Sequence, residues 1–304
     1  MPRTSRAMTG LIGVVALLAG LVVGPTATAG GALRPAITTV ACFGSLAGFP
    51  LNKPIVGIAQ TPDSAGYWLV ATDGGVFSFG DAHFYGSTGA ILLNKPIVGM
   101  APTSTGHGYW LVASDGVIFS YGDAQFYGST GALVLNKPIV GMAPTPTGHG
   151  YWLVASDGGI FSFGDAHYYG STGNLRLNQP VVGMAATADG HGYWLAAADA
   201  GIFTFGDANY LGGGPISQDN QSYIRDFSAF AASTDGGGYI LANASRGFLL
   251  FFGDAKYYGL GFTASDTSSL AGLTSPVASL GYGYWEATQA GSVYALTAGG
   301  QATC

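Results

Sequence analysis

Apolar residues in this chain fall into short runs that return at a fixed interval. The run Tyr151–Ser156 (Y-W-L-V-A-S) is apolar at both alternating sets of positions, Tyr151, Leu153 and Ala155 on one and Trp152 and Val154 on the other. A half-exposed strand alternates apolar with polar residues, so this pattern predicts a strand buried on both faces. Before it, Pro138–Ala143 predicts a short strand that tolerates proline at its first position, and the Pro and Gly of Thr145–Gly150 predict a loop. After it, Asp157-Gly158 predicts a type I′ hairpin turn, with positive φ at both central residues. Ile160–Phe163 then predicts a third strand, Gly164-Asp165-Ala166 another turn, and Tyr168–Ser171 a short outer strand.

The whole pattern repeats. Tyr67-Trp68, Tyr109-Trp110, Tyr151-Trp152 and Tyr193-Trp194 recur every 42 residues, and the spacing then widens to Tyr239-Ile240 and Tyr284-Trp285. A fixed period of this size marks a solenoid, a propeller or an array. A solenoid needs distinct capping units, and the sequence offers none. The expectation is an all-β, six-bladed β-propeller of four-stranded blades, each about 42 residues long, spanning residues 40–304.

The two cysteines say how such a ring would close. Aligning Phe43-Gly44-Ser45 with Tyr127-Gly128-Ser129 places Cys42 at the repeat position of Phe126. Aligning Gly300-Gln301-Ala302 with Gly122-Asp123-Ala124 places Cys304 there too. One blade would then take strands from both ends of the chain, and a Cys42–Cys304 disulfide would pin the seam. Closing so long a loop is worth roughly 5 kcal/mol in the chain-entropy account.

The N-terminus reads as an export signal. Arg3 and Arg6 precede an apolar run from Leu11 to Val23, and Ala27-Thr28-Ala29 provides an A-x-A cleavage site. The run is interrupted by Gly13 and Gly20 and falls short of the roughly 20 residues of a membrane span. Residues 1–29 are expected to be removed, with retention as an anchor the alternative, and residues 30–39 lead to the first strand. An oxidising compartment suits the disulfide. The product is expected to be secreted or cell-wall associated, monomeric, and without a stable membrane span.

Composition narrows the partners. Only 9% of residues are charged, Gly numbers 51, and aromatics make up 13%, a profile neither disordered nor helical. The net charge is −6 with Lys and Arg scattered singly, which argues against nucleic acid, because neutralising phosphates takes clustered basic residues.

The order of apolar strand, D-G turn, I-F-S-F-G-D and Y-G-S-T-G resembles the blade of the regulator-of-chromosome-condensation propellers. It is more similar still to a repeat of secreted actinobacterial proteins, often found beside peptidoglycan-cleaving domains. The resemblance covers nearly all of residues 40–304 and is strongest from Asn52 to Asp207. It implies an extracellular propeller used for binding or anchoring.

Catalytic chemistry finds no support in the sequence. Asp73, Asp115, Asp157 and Asp199 read as turn residues, as do Asp81, Asp123, Asp165, Asp207 and Asp254 in G-D-A turns. His107, His149 and His191 recur in G-H-G loops, one per repeat. Metal ligands must converge, so no metal site is expected, nor any cofactor. Asp219, Asp226, Asp266 and Glu286 are acids outside the repeat with no identifiable partner. Binding has more support. Asn52, Lys53, Asn94, Lys95, Asn136 and Lys137, with Asn178 in the fourth copy, are expected to ring the face that carries the D-G turns. The G-H-G loops and the G-D-A turns with His83 and His167 are expected on the opposite face. Tyr223 and Arg225, in the irregular fifth copy, are further candidates. The tryptophans are expected in the core rather than stacked on sugar. The expected function is recognition of a cell-envelope glycan or other carbohydrate. A protein-interaction or structural surface protein, and a propeller hydrolase, are the alternatives.

Overall fold

The computed structural model describes residues 42–214, 226–243, 248–258, 270–274, 283–297 and 300–304. All of these lie in the compact unit Thr38–Cys304. The signal segment, residues 30–39, the candidates Tyr223 and Arg225, and the acids Asp219 and Asp266 fall outside the described residues.

The described residues contain strands and turns and no helix. The first sheet is β1 (Ile55–Gln60), β2 (Gly66–Ala71) and β3 (Val76–Gly80). The second is β4 (Ile97–Pro102), β5 (Gly108–Ala113) and β6 (Ile118–Gly122), and the third β7 (Ile139–Pro144), β8 (Gly150–Ala155) and β9 (Ile160–Gly164). The fourth is β10 (Val181–Ala186), β11 (Gly192–Ala197) and β12 (Ile202–Gly206), and the fifth β13 (Phe227–Ala232), β14 (Gly238–Asn243) and β15 (Phe248–Gly253). The last holds β16 (Leu270–Leu273), β17 (Gly283–Thr288), β18 (Val293–Thr297) and β19 (Gly300–Thr303). Strands pair antiparallel in chain order within every sheet.

Every residue of β2, β5, β8, β11, β14 and β17 is buried. The strands apolar on both faces are the middle strands, and each middle strand is covered by a neighbouring sheet on either side. The Trp face of one sheet meets the Tyr face of the next, with Trp68 on Tyr109 at 5.7 Å and Trp110 on Tyr151 at 5.7 Å between ring centroids. The first strands also pack in succession, β1 on β4, β4 on β7, β7 on β10, β10 on β13 and β13 on β16, and β16 packs on β1. Each first strand carries a bulge after its opening residue, as between Ile139 and Gly141, which bends the strand and increases its twist.

Two expectations are corrected. The D-G turn is not type I′. Only the glycine has positive φ, 76° at Gly158, and Asp157 does not. The amide of Gly158 donates to Ala155 O at 2.8 Å, and that of Ala155 to Gly159 O at 2.9 Å. This is the three-residue loop in which a left-handed glycine follows a type I turn. The Asp157 side chain accepts the Gly159 amide at 3.0 Å, a bond that holds the aspartate in ordinary φ.

The second correction concerns the outer segment. Tyr168–Ser171 and its counterparts in the first four copies form no strand, and among the described residues the first five sheets show three strands each. The backbone groups of this segment are taken by the neighbouring sheet instead. Tyr193 Oη donates to Gly170 O at 2.6 Å and accepts the Tyr169 amide at 3.1 Å. The segment then returns to its own sheet, where Thr172 Oγ1 donates to Asp157 O at 3.0 Å. Each Y-G-S-T segment therefore straps its hairpin turn to the next sheet's tyrosine.

The seam repeats these bonds with residues from opposite ends of the chain. The Ile97 amide donates to Thr72 O at 2.9 Å between the first two sheets, and the Ile55 amide donates to Gln289 O at 2.9 Å between the last and the first. The Leu46 amide donates to Gly291 O at 2.9 Å, as the Thr88 amide does to Gly74 O at 3.1 Å. Tyr67 Oη donates to Gly44 O, as Tyr109 Oη does to Gly86 O. Residues 43–46 thus serve the last sheet as the strap serves the others. The expected Cys42–Cys304 disulfide joins the two ends across 262 residues, with the Cα atoms 5.0 Å apart.

Candidate functional site

The direction of the strands sorts the repeated residues. The start of each first strand and the β2–β3 type of turn lie at one end of a sheet. The G-H-G loop and the G-D-A turn lie at the other. Asn52, Lys53, Asn94, Lys95, Asn136, Lys137 and Asn178 all occupy bends just before first strands, and all are exposed. Asn52 and Lys53 line a cavity of about 260 Å3 together with Asp73 of the first D-G turn and the exposed Phe49. The corresponding prolines hold the bend, since Pro138 O accepts the Ser156 amide at 2.9 Å. None of these Lys or Asn side chains is needed to build the turn.

Close to these bends in the chain stand apolar residues for which no role was foreseen. Ile91, Leu92, Leu133, Val134 and Leu175 are exposed, Leu92 by 98% and Val134 by 102%. Their signal was their position outside every predicted strand at the repeat period. A second set of exposed rings follows the G-D-A turns. Phe84, Phe126, Tyr168, Tyr210 and Tyr257 occupy one repeat position, and each is more than half exposed. The tryptophans, by contrast, are core. Trp68, Trp110, Trp152 and Trp194 are buried, and each indole N–H donates to a backbone carbonyl just past the G-D-A turn, as Trp152 does to His167 O at 2.7 Å.

A cavity of about 590 Å3 runs among the first strands of all six sheets. Its apolar girdle comes from equivalent positions, Ile58, Met100, Met142, Met184, Phe230 and Leu273, and its rim from Thr61, Thr103, Thr145, Thr187, Ser233 and Thr274. The rim hydroxyls are committed to structure, as when Thr145 Oγ1 donates to Gly150 O at 3.2 Å and to Asp165 Oδ1 at 2.8 Å.

At the G-H-G end the copies differ in a way that matters chemically. In the second and third sheets a pair of threonines satisfies the G-D-A aspartate, Thr147 Oγ1 donating to Asp165 Oδ2 at 2.6 Å and Thr105 Oγ1 to Asp123 Oδ2 at 2.5 Å. In the first, fourth and fifth sheets an aspartate replaces that second threonine, as Asp63, Asp189 and Asp235. Asp63 stands beside Asp81, whose carboxyl is pushed up by burial and by the hydrogen bond and charge of Asp63. Asp189 stands beside Asp207 with His191 against it, His191 Nδ1 lying 3.0 Å from Asp189 Oδ2. The hydrogen bond from His191 holds the Asp189 carboxyl well below the usual range, and the same bond raises the His191 imidazole. The ligand atoms of Asp189, His191 and Asp207 all lie within 4.8 Å of one another. Convergence happens within a single sheet, by way of a residue, Asp189, that had been assigned no role.

Of the acids outside the repeat, Glu286 is fully buried in β17. Asp226 is exposed at the start of β13 with φ of 77°. Neither is grouped with another acid at a cavity described above. Among the described residues no helix is long and apolar enough to cross a membrane. A scan against protein-family models finds no match to this chain, and a search of curated proteins likewise finds none.

Proposed function

We propose that this chain is an exported, non-catalytic binding module, a closed six-bladed β-propeller that holds a cell-envelope glycan at repeated sites. The packing of β16 on β1 and the strap-like bonds of residues 43–46 support closure of the ring. The disulfide fits an extracellular protein. Kinship with the repeat of secreted actinobacterial proteins is part of the same proposal.

One observation carries the glycan reading: the same exposed aromatic position recurs as Phe84, Phe126, Tyr168, Tyr210 and Tyr257. A sugar ring presents C–H groups to an aromatic face and hydroxyls to nearby amides. His83, Gln125, His167 and Asn209 each precede one of these rings in the chain. Identical weak sites on one rigid body gain avidity on a polymer whose repeats can engage several at once.

The test is co-sedimentation of the protein with insoluble cell-wall polysaccharide. Phe126→Ser and Tyr168→Ser, both at exposed positions that leave the core intact, each weaken retention, and the pair together weakens it more. Failure to bind any polysaccharide, alongside capture of one defined protein, overturns this reading. That outcome selects the second one, a protein-interaction surface, which rests on the aliphatic side chains of Leu92 and Val134. These bury well against protein but offer a sugar no ring to stack on.

A further inference from the structure

We propose that Asp189, His191 and Asp207 form a binding site for a divalent transition-metal ion of the zinc class, built in the fourth sheet alone. The three side chains come from two neighbouring turns at one end of that sheet, the G-H-G loop and the G-D-A turn, both fixed by backbone bonds. The Gly190 amide donates to Thr187 O at 3.0 Å, and the Asp207 amide to His191 O at 3.1 Å. The backbone therefore holds the ligands in place before any ion arrives.

The copies of this end of the sheet differ at one telling position. Where the residue two before the loop histidine is threonine, its hydroxyl donates to the G-D-A carboxylate, as at 2.6 Å in the third sheet. The imidazole of His149 then has no second acid in its loop. In the fourth sheet that donor is exchanged for a carboxylate, so two negative groups face each other where a hydrogen bond stood. Like charges so placed repel, and a cation between them removes the repulsion. The first and fifth sheets make the same exchange at Asp63 and Asp235 but have Ala65 and Gly237 where the histidine stands. Only the fourth sheet among these combines both carboxylates with an imidazole.

Geometry and ligand type fix the class of ion. Zinc binds imidazole nitrogen and carboxylate oxygen at about 2.0–2.2 Å, which sets tetrahedral ligand–ligand separations near 3.4 Å. The observed group, at 3.0 Å for the imidazole–carboxylate pair and within 4.8 Å throughout, needs only small side-chain rotations to reach that arrangement. An imidazole favours zinc, copper or nickel over calcium and magnesium, and the lack of a thiolate disfavours soft monovalent ions. Three protein ligands on an exposed turn leave a coordination position open to water or to an oxygen of another molecule.

The test uses the full chain, produced and processed in a secreting host, titrated with zinc chloride by calorimetry and with cobalt chloride by visible absorption. The expected stoichiometry is one ion per chain. Asp189→Thr, which restores the residue of the second and third copies, and His191→Gln each weaken binding by at least about tenfold, the loss found when even a supporting residue of a metal site is removed. Thr147→Asp, which places a second carboxylate beside His149 and Asp165, raises the stoichiometry to two. No binding by the wild-type chain at millimolar metal overturns the proposal. So does binding that survives both Asp189→Thr and His191→Gln, which places the ion elsewhere.

Discussion

The carbonyl of Ala200 accepts the Gly214 amide at 2.6 Å, at the place where the carbonyls of Gly74, Gly116 and Gly158 accept threonine amides. Ala200 sits in the left-handed region with φ of 65°, a conformation that costs a residue bearing a Cβ about 1–2 kcal/mol. Its methyl fits because Gly214 has removed the threonine. A Cβ on Gly158 would overlap Thr172 Oγ1. Two positions of the repeat have therefore changed together.

This relationship predicts a coupling. Gly158→Ala should destabilise the protein by about 2–4 kcal/mol, through left-handed strain and overlap with the threonine. Thr172→Gly should cost about 1–3 kcal/mol through the lost bond to Asp157 O. The double variant, which reproduces the fourth copy, should be less destabilised than the sum by about 1 kcal/mol or more. Denaturant unfolding of the four proteins measures the cycle, and strict additivity would refute the shared space.

The tyrosine clamp predicts a hydroxyl effect. Tyr151 Oη donates to Gly128 O at 2.6 Å and accepts the Tyr127 amide at 3.2 Å. Tyr151→Phe keeps the buried ring but leaves both backbone groups without that partner, at a cost of about 1–3 kcal/mol. Hydrogen exchange should report the loss at Tyr127, in the strap of the preceding sheet, rather than along β8.

The disulfide predicts a redox-dependent melting temperature. Opening a 262-residue loop removes roughly 5 kcal/mol in the chain-entropy account. Reductant should lower the melting temperature of the wild-type protein and leave Cys304→Ser unchanged. Equal sensitivity of the two would show that the bridge adds nothing to stability.

The Asp189–His191 pair predicts a pH dependence in the metal-free protein. The carboxylate raises the imidazole, so the histidine's part in the pair is present below its unfolded pKa and fades as pH rises through the folded value. Asp189 is depressed, so its part is present above its unfolded pKa and fades as pH falls through the folded one. The pair is strongest between the ordinary carboxylate and imidazole ranges. Both side chains are solvent-exposed, so the readout is the imidazole titration followed by NMR. Asp189→Asn should lower the His191 pKa, and no change would break the pairing.

Much of the architecture was legible because burial on two faces leaves a mark. Tyr151–Ser156 lacks polar alternation, and a strand without it must be covered twice. The cysteines were legible through repeat phase, which locates residues far apart in sequence without any knowledge of contacts. The outer segment misled because Y-Y-G-S looks like a strand. Whether its amides join a ladder or a neighbour's hydroxyl depends on Tyr193 in the next sheet, which local pattern does not encode. The turn type misled for a related reason, since Asp-Gly suits two turns and the Asp157–Gly159 bond decides between them. The convergence of Asp189 with His191 and Asp207 was hidden by reading each repeated residue as a turn former. Comparing position 189 with Thr147 and Thr105 would have exposed it.

Binding residues 42–46 to the last sheet sets an order of events during synthesis. Cys42 and Leu46 are made long before Cys304 and Gly291, the residues to which they bind. Throughout elongation the opening segment and the edge of β1 that bonds Gln289 have no native partner, and no earlier sheet can take the cysteine's place. The protein must therefore guard these partnerless groups until Gln289, Gly291 and Cys304 have been made, and a chain interrupted before Gln289 would carry both an unpaired thiol and an exposed seam.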